Sequence, residues 1–587
     1  MRSHYCGDLR SDHIGTDVCV CGWVQSRRDH GGVIFLDVRD RQGIVQIVFD
    51  PENQTAFEIA EELRSEFVIR AEGKVRHRGP DQVNPKLPTG EVEVLVATVE
   101  LLNRSRAIPF KLDEYATAGE DTRLRFRYLD LRRPEMQQKL HIRAAIARET
   151  RAFLDNEGFV EIETPTLTKS TPEGARDYLV PSRTQPGQFY ALPQSPQLFK
   201  QMLMMSGFDR YYQIARCYRD EDLRSDRQPE FTQIDIEASF VDQADVMNVT
   251  EQMLRHIFEH AGNVQLDRFP ILTYEDALNR YGSDKPDLRN HLELTEIADL
   301  VQESEFKVFS GPANDSNGRV AALRAPLGAE RLSRKQIDDL VDFVADFGAR
   351  GLAYIKANSV SAGIEGLQSS ILKFLDERTI SGIVERCKVE DNDILFIGAG
   401  EKGLVNNFMG ALRMKIGQEF ELLSDGYRAC WIVDWPMFEL GERGELVPAH
   451  HPFTQPNCSR EEFANSPSTS KAHAYDVVVN GFELGGGSLR IHDIQMQRAV
   501  FDALGIGQEA GVKFGFLLDA LEFGCPPHGG IALGLDRLAM ILTNSESVRD
   551  VIAFPKTQSA ACPLSMAPSE VDVAQLRDLR LSVRGPK

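Results

Sequence analysis

The sequence has no uninterrupted apolar stretch of 18 residues, which is about the length that a membrane-spanning helix requires. Its first residues, MRSHYCGDLRSDH, are polar and contain no apolar core of a secretory signal peptide. The nine cysteines are scattered and form no C-x-x-C pair, so neither a zinc site nor a disulfide framework is indicated. These absences predict a cytoplasmic protein with reduced thiols and no membrane partner.

Positive charge is also scarce, because 67 Lys and Arg stand against 88 Asp and Glu, for a formal net charge of −21. A protein that holds DNA through a general basic field is therefore not expected. Binding of RNA would depend on local clusters such as Arg27-Arg28 and Arg76-His77-Arg78.

Residues 1–104 read as a small β-barrel. The predicted strands are Val18–Arg28, Gly32–Val38, Ile44–Phe49, Phe67–Arg78 and Glu91–Leu102, with a helix over Glu58–Ser65. Five strands with a helix between the third and the fourth follow the OB-fold plan, which commonly binds single-stranded nucleic acid.

The middle of the chain contains a strand, a charged loop and a second strand. The strands are predicted over Tyr211–Cys217 and Phe231–Ala238, and the loop between them is dense in Arg, Asp and Glu. Arginine suits a bidentate grip on phosphate, and neighbouring carboxylates can bind an ammonium group or Mg²⁺. The alternative is a solvated loop with surface ion pairs.

Two further stretches lie on either side of this one. Ile142 to Glu157 reads as a helix that is followed by a strand ending in Pro165. Gly529–Leu538, GGIALGLDRL, reads as a glycine-rich strand leading into a helix, with Arg537 where an anion could rest at the helix N-terminus.

These three stretches resemble motifs 1, 2 and 3 of the class II aminoacyl-tRNA synthetases, in the right order. With QSPQLFK, GGGSLRIH and the barrel, the resemblance covers nearly the whole chain, and it is strongest to the bacterial-type aspartyl enzymes of class IIb. It implies an α+β multidomain protein with an N-terminal OB-fold barrel, an antiparallel-sheet catalytic core and an inserted α+β domain.

The resemblance also implies the domain boundaries. They are 1–104 for the anticodon-binding domain, 105–130 for a hinge, 131–286 for the core with motifs 1 and 2, 287–420 for the insertion, 421–557 for the core with motif 3, and 558–587 for a C-terminal extension with a helix over Ser569–Leu579. Motif 1 implies a homodimer.

The implied activity is the ATP-dependent attachment of L-aspartate to tRNA(Asp) through an aspartyl-adenylate. The residues that the resemblance assigns to ATP are Arg219, Asp220, Glu221, Gln228, Glu483, Gly534, Leu535, Asp536 and Arg537. Asp476 and Glu483 are assigned to Mg²⁺, and the segment from Tyr475 to Glu483 is predicted as one strand.

The resemblance assigns a second set to aspartate, namely Glu173, Gln197, Lys200, Arg219, Asp235, His450 and Arg490. Lys200 and Arg490 would select the side-chain carboxylate, since asparagine would leave two buried cations unpaired. Gln197 and Asp235 would hold the ammonium group, and Glu173 lies in a loop that would close over the amino acid. His450 is expected to contact the substrate rather than a metal.

Four barrel residues stand where the aspartyl enzymes read the anticodon, namely Arg28, Phe35, Gln46 and Glu93. His30 and Asp81 lie in two loops of the barrel to which the family's choice between one and two tRNA substrates is attributed. Strict bacterial members tend to carry Leu where this chain has His30, which favours charging of tRNA(Asn) as well as tRNA(Asp). Members that charge both tRNAs can carry Gly where this chain has Asp81. Asp81 therefore favours charging of tRNA(Asp) alone.

Four alternatives remain to be weighed. They are a strictly discriminating aspartyl enzyme, an asparaginyl or lysyl enzyme, an amide-forming paralogue, and a non-catalytic RNA-binding protein on the same fold. The cations Lys200 and Arg490 disfavour the asparaginyl and lysyl enzymes. The barrel disfavours the paralogue, and the retention of Arg219, Arg537 and Glu483 disfavours a non-catalytic protein.

Overall fold

The computed structural model describes residues 1–112, 118–170, 174–441 and 443–585. The chain divides into two compact units, Met1–Thr122 and Arg123–Lys587, each with its own buried core. No helix in these described ranges is both long enough and apolar enough to cross a membrane.

The smaller unit is a closed barrel. Its elements are β1 Asp17–His30, β2 Val33–Asp40, β3 Gly43–Phe49, α1 Gln54–Glu62, β4 Val68–His77 and β5 Val92–Asn103. The strands close in the order β1-β2-β3-β5-β4, with β3 and β5 parallel. Val18, Val20 and Val24 alternate into the core along β1, as a half-buried strand requires. The predicted OB-fold is confirmed.

Two boundaries in the barrel differ from the prediction. Helix α1 begins at Gln54 and not at Glu58, because the Asn53 side chain accepts a hydrogen bond from the Ala56 N–H and caps the helix. Strand β1 continues to His30, so the β1–β2 turn consists only of Gly31 and Gly32, whose φ angles are 62° and 81°.

The first part of the larger unit begins with helices and ends with the predicted hairpin. Its elements are α2 Glu120–Arg125, α3 Arg127–Asp130, α4 Pro134–Asn156, β6 Val160–Glu161, β7 Leu179–Pro181, β8 Phe189–Ala191, α5 Gln197–Met205, β9 Arg210–Tyr218, β10 Glu230–Ser239, α6 Gln243–Gly262, β11 Ile271–Thr273 and α7 Tyr274–Tyr281. Helix α4 begins well before the predicted Ile142, with Pro134 in its first turn, where a missing N–H costs nothing.

The inserted segment forms a second sheet. Its elements are β12 Leu294–Glu296, α8 Ala298–Val301, α9 Lys307–Ala313, β13 Gly318–Ala325, α10 Gly328–Arg331, α11 Arg334–Ala345, β14 Ala353–Ala357, β15 Leu367–Gln368, α12 Glu377–Arg386, β16 Asp393–Glu401 and α13 Lys402–Glu419. The strand order is β12-β13-β16-β14-β15, and separate apolar clusters bury the two faces of this sheet.

The remaining elements complete the core. They are β17 Ala429–Val433, β18 Phe438–Leu440, β19 Leu446–Pro448, α14 Arg460–Asn465, β20 Ala474–Val479, β21 Phe482–Arg490, α15 Ile494–Ala503, α16 Gly507–Leu521, β22 His528–Gly534, α17 Leu535–Leu542 and α18 Val573–Asp578. The segment predicted as one strand is a hairpin, because Asn480 and Gly481 turn the chain with positive φ angles. Helix α18 is shorter than predicted, since Asp572 caps it at Val573.

An eight-stranded sheet in the order β11-β17-β20-β21-β22-β10-β9-β6 forms the centre of the larger unit. Its neighbours pair antiparallel except β11 with β17 and β6 with β9. Helices α4, α6 and α17 cover one face with the largest apolar cluster of the protein. On the other face, Cys430, Ile432 and Val478 of β17 and β20 form a smaller apolar cluster with α7, and polar side chains of β10 such as Gln233 and Asp235 lie nearby.

Candidate active site

Most of the residues predicted in the core line one cavity of about 450 Å³. They are Gln197, Lys200, Arg219, Glu221, Gln228, Asp235, His450, Asp476, Glu483, Arg490, Gly534, Asp536 and Arg537. The period of two in β10 explains part of this convergence, because Gln233 and Asp235 face the cavity while Ile234 and Ile236 face the apolar core. The cavity therefore lies on the sheet face opposite α4, α6 and α17.

Two of the described predicted residues are not on this wall, and a third predicted residue falls outside the described ranges. Glu173 lies outside the described residues. The exposed carboxylate of Asp220 points to Arg176, at 3.6 Å. Leu535 is buried in the apolar core at the start of α17, where it supports the turn that carries Arg537.

Two buried cations, Lys200 and Arg490, form the floor of the cavity with Asp235, and the buried carboxylate of Glu237 contacts both cations. Lys200 Nζ lies 2.6 Å from Asp235 Oδ1 and 3.3 Å from Glu237 Oε2. Arg490 donates from Nε to Glu237 Oε1 at 2.9 Å and from Nη2 to Oε2 at 3.2 Å. Lys200 and Arg490 are therefore already paired with carboxylates of the protein itself.

Sequence reasoning missed Glu237. Burial opposes the ionisation of this carboxyl, but Arg490 and Lys200 prevail and hold its pKa below the ordinary value. Glu237 stands two residues after Asp235 on β10, so the alternation of the strand already put both acids on one face. The cations that pair with these two acids could not be predicted from the strand alone.

Arg490 has a second edge that faces the cavity. Its Nη1 donates to Ser488 Oγ at 2.6 Å and is hydrogen-bonded to Nε2 of His451. Both of these partners are neutral and can be exchanged for a carboxylate at little electrostatic cost. Arg490 thus uses one edge for Glu237 and offers the other to a ligand.

The histidine pair beside Arg490 is held neutral. Burial, assisted by the positive charge of Arg490, lowers the pKa of His450 to about 4. The pKa of His451 is lowered well below its ordinary value by the same two causes. Only His450 was expected to reach the substrate, but both histidines line the cavity and His451 makes the contact with Arg490.

Five predicted residues point a buried polar atom into this cavity without a hydrogen-bond partner among the described residues. These atoms are Gln197 Nε2, Arg219 Nε, Asp235 Oδ2, His450 Nε2 and Asp476 Oδ1. Buried polar groups are nearly always satisfied in folded proteins, so a group of unsatisfied ones in a cavity indicates a missing polar ligand. The set combines donors with carboxylate acceptors, as an amino-acid ligand would need.

Arginines from separate segments flank the upper part of the cavity. Arg219 stacks over the Phe231 ring at 5.1 Å, which fixes its guanidinium plane. Arg537, in the first turn of α17, donates to the Glu483 carbonyl and from Nη2 to Asp226 Oδ2 at 3.3 Å. Both arginines line the cavity, and two cations on separate segments can flank a polyphosphate.

Two further polar groups assigned to ATP, besides Glu221, are engaged by the protein itself. The Gln228 side chain exchanges two hydrogen bonds with the backbone of Lys556, at 2.8 and 3.1 Å. Asp536 accepts from the Thr232 N–H at 2.9 Å and is ion-paired with Arg143 of α4. These contacts fix the loop and the start of α17.

Asp476 and Glu483 lie on the two strands of the β20–β21 hairpin, and both line the cavity. Burial and the charges of Glu483 and Asp284 raise the pKa of Asp476 well above its ordinary value. A hard divalent cation would relieve this repulsion, and the unpartnered Asp476 Oδ1 is free to bind one. No cluster of three or more His, Cys, Asp and Glu able to hold a metal occurs in the described ranges, so a cation here would need further oxygens from a ligand.

The predicted anticodon residues come together on the barrel. Arg28 Nη2 donates to Gln46 Oε1 at 3.0 Å, and Gln46 Nε2 donates to Glu93 Oε2 at 2.7 Å. Phe35 pairs with Arg28 across β1 and β2 and is half-buried. The two discrimination residues, His30 and Asp81, are exposed at the ends of β1 and β4. The face thus carries donors, acceptors and an aromatic ring.

Comparison with known proteins adds to this geometry. Residues 119–558 match the family of tRNA synthetases class II (D, K and N), and residues 18–102 match the OB-fold nucleic acid binding domain. The asparaginyl-tRNA synthetase from Pyrococcus horikoshii, complexed with asparaginyl-adenylate, is similar in fold, with a TM-score of 0.59 and 18% identity over 94% of this chain and 98% of that chain. A provisionally assigned aspartyl-tRNA synthetase from Leishmania major Friedlin is similar at a TM-score of 0.60 and 18% identity, with 94% of each chain covered.

An antiparallel core of this topology, joined to a barrel of the OB type, defines an aminoacyl-tRNA synthetase of class II. Because the family match spans most of its length, the chain belongs to the D, K and N group of these enzymes. Synthetases of this class are ligases that use ATP to attach an amino acid to tRNA.

Proposed function

We propose that this protein is a bacterial-type aspartyl-tRNA synthetase that attaches L-aspartate to tRNA(Asp) and also to tRNA(Asn). The observation that carries the proposal is the floor of the cavity, where Lys200 and Arg490 are buried with Asp235 and Glu237. ATP is the second substrate, and the enzyme works as a cytoplasmic homodimer.

The choice of aspartate over asparagine follows from the donors on the floor. Arg490 Nη1 and the ammonium group of Lys200 offer hydrogens only. A side-chain carboxylate accepts from both and replaces the neutral Ser488 and His451 partners of Arg490. The amide of asparagine would bring its own NH₂ against these donors, so the wrong substrate leaves buried groups unsatisfied.

The remaining contacts orient the amino acid for reaction. Asp235 Oδ2 accepts from the substrate ammonium. The unpartnered atom of Gln197 is the donor Nε2, so we change its expected role from the ammonium to the α-carboxylate, to which Arg219 Nε also donates. Glu173 belongs to the loop proposed to close over this group. A carboxylate oxygen then attacks the α-phosphate of ATP, the bond to the β-phosphate oxygen breaks, and pyrophosphate leaves. Attack by a tRNA ribose hydroxyl on the acyl carbon later releases AMP.

The nucleotide lies between the two arginine walls in this proposal. Arg219 holds the α-phosphate and Arg537 the γ-phosphate, and Glu221 accepts from the adenine amino group. Mg²⁺ held by Asp476 and Glu483 would offset triphosphate charge, which is the chemistry that a hard cation supplies. The protein itself contributes positioning and electrostatic stabilisation rather than a covalent nucleophile.

The proposal of two tRNA substrates depends mainly on His30. This side chain is exposed beside the Gly31-Gly32 turn, near the barrel face that carries Arg28 and Phe35. An imidazole can donate to or accept from either base at the variable anticodon position, whereas a leucine cannot. Arg28, Phe35, Gln46 and Glu93 would read the bases common to both tRNAs.

The test is charging of tRNA(Asp) and tRNA(Asn) transcripts, each with labelled aspartate and labelled asparagine. We expect aspartate on both tRNAs and asparagine on neither. The His30→Leu variant should lose about tenfold in kcat/KM on tRNA(Asn) and keep its activity on tRNA(Asp). Aspartate on tRNA(Asp) alone would overturn the His30 argument, and asparagine on either tRNA would overturn the choice of amino acid.

A further inference from the structure

The segment that follows α17, residues 547–556, holds the charged loop 219–229 at two points. Ser547 Oγ and the Val548 N–H both donate to the Ser225 carbonyl, at 2.9 and 3.0 Å. At its other end, Lys556 exchanges two backbone hydrogen bonds with the Gln228 side chain. We call residues 547–556 the strap.

A buried arginine holds the backbone of the strap, while Arg123 and Lys139 pair with its Asp550 side chain at 3.5 and 3.7 Å. Arg127 of α3 donates to three strap carbonyls, from Nε to Ala553 at 2.9 Å and from Nη2 to Arg549 and Ile552 at 3.0 and 2.9 Å. The remaining nitrogen, Nη1, donates to Asp130 Oδ2 at 2.6 Å. The strap is largely irregular backbone, so these carbonyls depend on a side chain for their hydrogen bonds.

The loop under the strap carries groups on both sides of the nucleotide position. Arg219 stands at its start, and Asp226 accepts from Arg537 Nη2 on the opposite wall. A displaced strap would therefore change the distance between Arg219 and Arg537. Arg127 itself does not belong to the cavity wall.

We propose that Arg127 is a positioning residue for nucleotide binding, acting through the strap on the loop 219–229. The guanidinium fork donates to three carbonyls and to Asp130 at once, whereas an ammonium group has only three hydrogens to donate. The inference depends on ATP binding between Arg219 and Arg537, and not on which amino acid is activated.

The test measures ATP–pyrophosphate exchange with whichever amino acid the unaltered protein activates. Arg127→Lys should raise the KM for ATP about tenfold and change the KM for the amino acid less than about twofold. Ser547→Ala removes one strap–loop hydrogen bond and should raise the KM for ATP by a smaller factor. Because both act through the strap, the effect of the double variant should be less than the product of the two single effects.

Arg386→Lys is the matched control, since Arg386 pairs with Asp299 on the surface of the inserted domain. It should leave both KM values unchanged. A folded Arg127→Lys protein with an unchanged KM for ATP would overturn the proposal, as would an equal rise in both KM values. If Arg127→Lys fails to fold, Ser547→Ala decides the question alone, and an unchanged KM for ATP overturns the proposal. Absence of exchange in the unaltered protein with any amino acid would instead contradict the proposed function.

Discussion

At the scale of single residues, Arg490 combines two tasks that require a planar fork. One edge binds Glu237 through Nε and Nη2, and Nη1 faces the cavity. A lysine would carry the same charge, but as a point charge it cannot bridge a carboxylate and still present a second directed pair of hydrogens. Selection of the substrate should therefore depend on the geometry of the guanidinium.

Arg490→Lys should lower kcat/KM for aspartate by about 100-fold, because a partly satisfied buried network costs more than the loss of one contact. The KM for ATP should stay within about twofold, since Arg219 and Arg537 are untouched. Steady-state exchange at varied aspartate and varied ATP separates the two effects. Arg386→Lys, which alters a surface pair with Asp299 in the inserted domain, is the control. Activity near that of the control would mean that charge alone selects the substrate.

At the scale of elements, three glycines make the β20–β21–β22 part of the sheet possible. A Cβ at Gly485 would lie 2.0 Å from the Ala532 carbonyl oxygen, and one at Gly487 would lie 2.3 Å from the Gly530 carbonyl oxygen. A Cβ at Gly486 would instead meet the side chain of Asp476, at 2.5 Å from Oδ1. The first two glycines thus serve strand packing, and the third makes room for the carboxylate proposed to bind Mg²⁺.

Gly486→Ala should raise the Mg²⁺ concentration that gives half-maximal exchange by about fivefold, because the added methyl displaces Asp476 from Glu483. The measurement is a Mg²⁺ titration of ATP–pyrophosphate exchange at saturating aspartate. Gly351→Ala is the control, since a Cβ there meets nothing within 4 Å. An unchanged Mg²⁺ requirement in a folded variant would remove Asp476 from the proposed metal site.

Part of this sheet could be predicted from the sequence, and part could not. Apolar, β-prone residues predicted β9, the period of two predicted β10, and the five strands of the OB-fold were confirmed. The β20–β21 hairpin was missed although Asn480-Gly481 is a strong turn signal, because the flanking valines suggested one long strand. The partners of Glu237 and the role of the strap could not be predicted, since both depend on contacts between residues far apart in the chain.

At the scale of the whole molecule, the net charge of −21 limits how tRNA can be held. Arg28 and Arg76 on the barrel are each paired with a carboxylate, from Asp37 and Glu93 respectively. Such pairs can exchange a carboxylate for a phosphate or a base edge, so recognition does not require an excess of positive surface. The salt dependence of tRNA binding that arises from counterion release is therefore expected to be modest.

The edge of the central sheet is the place where a second copy of the chain would bind. Strand β6 contains only two residues, both exposed, and Val160 leaves 47% of its surface open. Exposed edge strands are normally covered in folded proteins. Because Phe159–Pro165 resembles motif 1, we expect a second protomer to cover this edge.

Light scattering after size exclusion at micromolar concentration should therefore give twice the chain mass of 65.8 kDa. Val160→Lys should shift the protein toward the monomer, because the charge would be buried against its own copy across the two-fold axis. Val308→Lys, at an exposed position of α9 in the inserted domain, should leave the mass unchanged. A monomeric unaltered protein would contradict the homodimer, whereas a Val160→Lys protein that remains fully dimeric would place the interface away from β6.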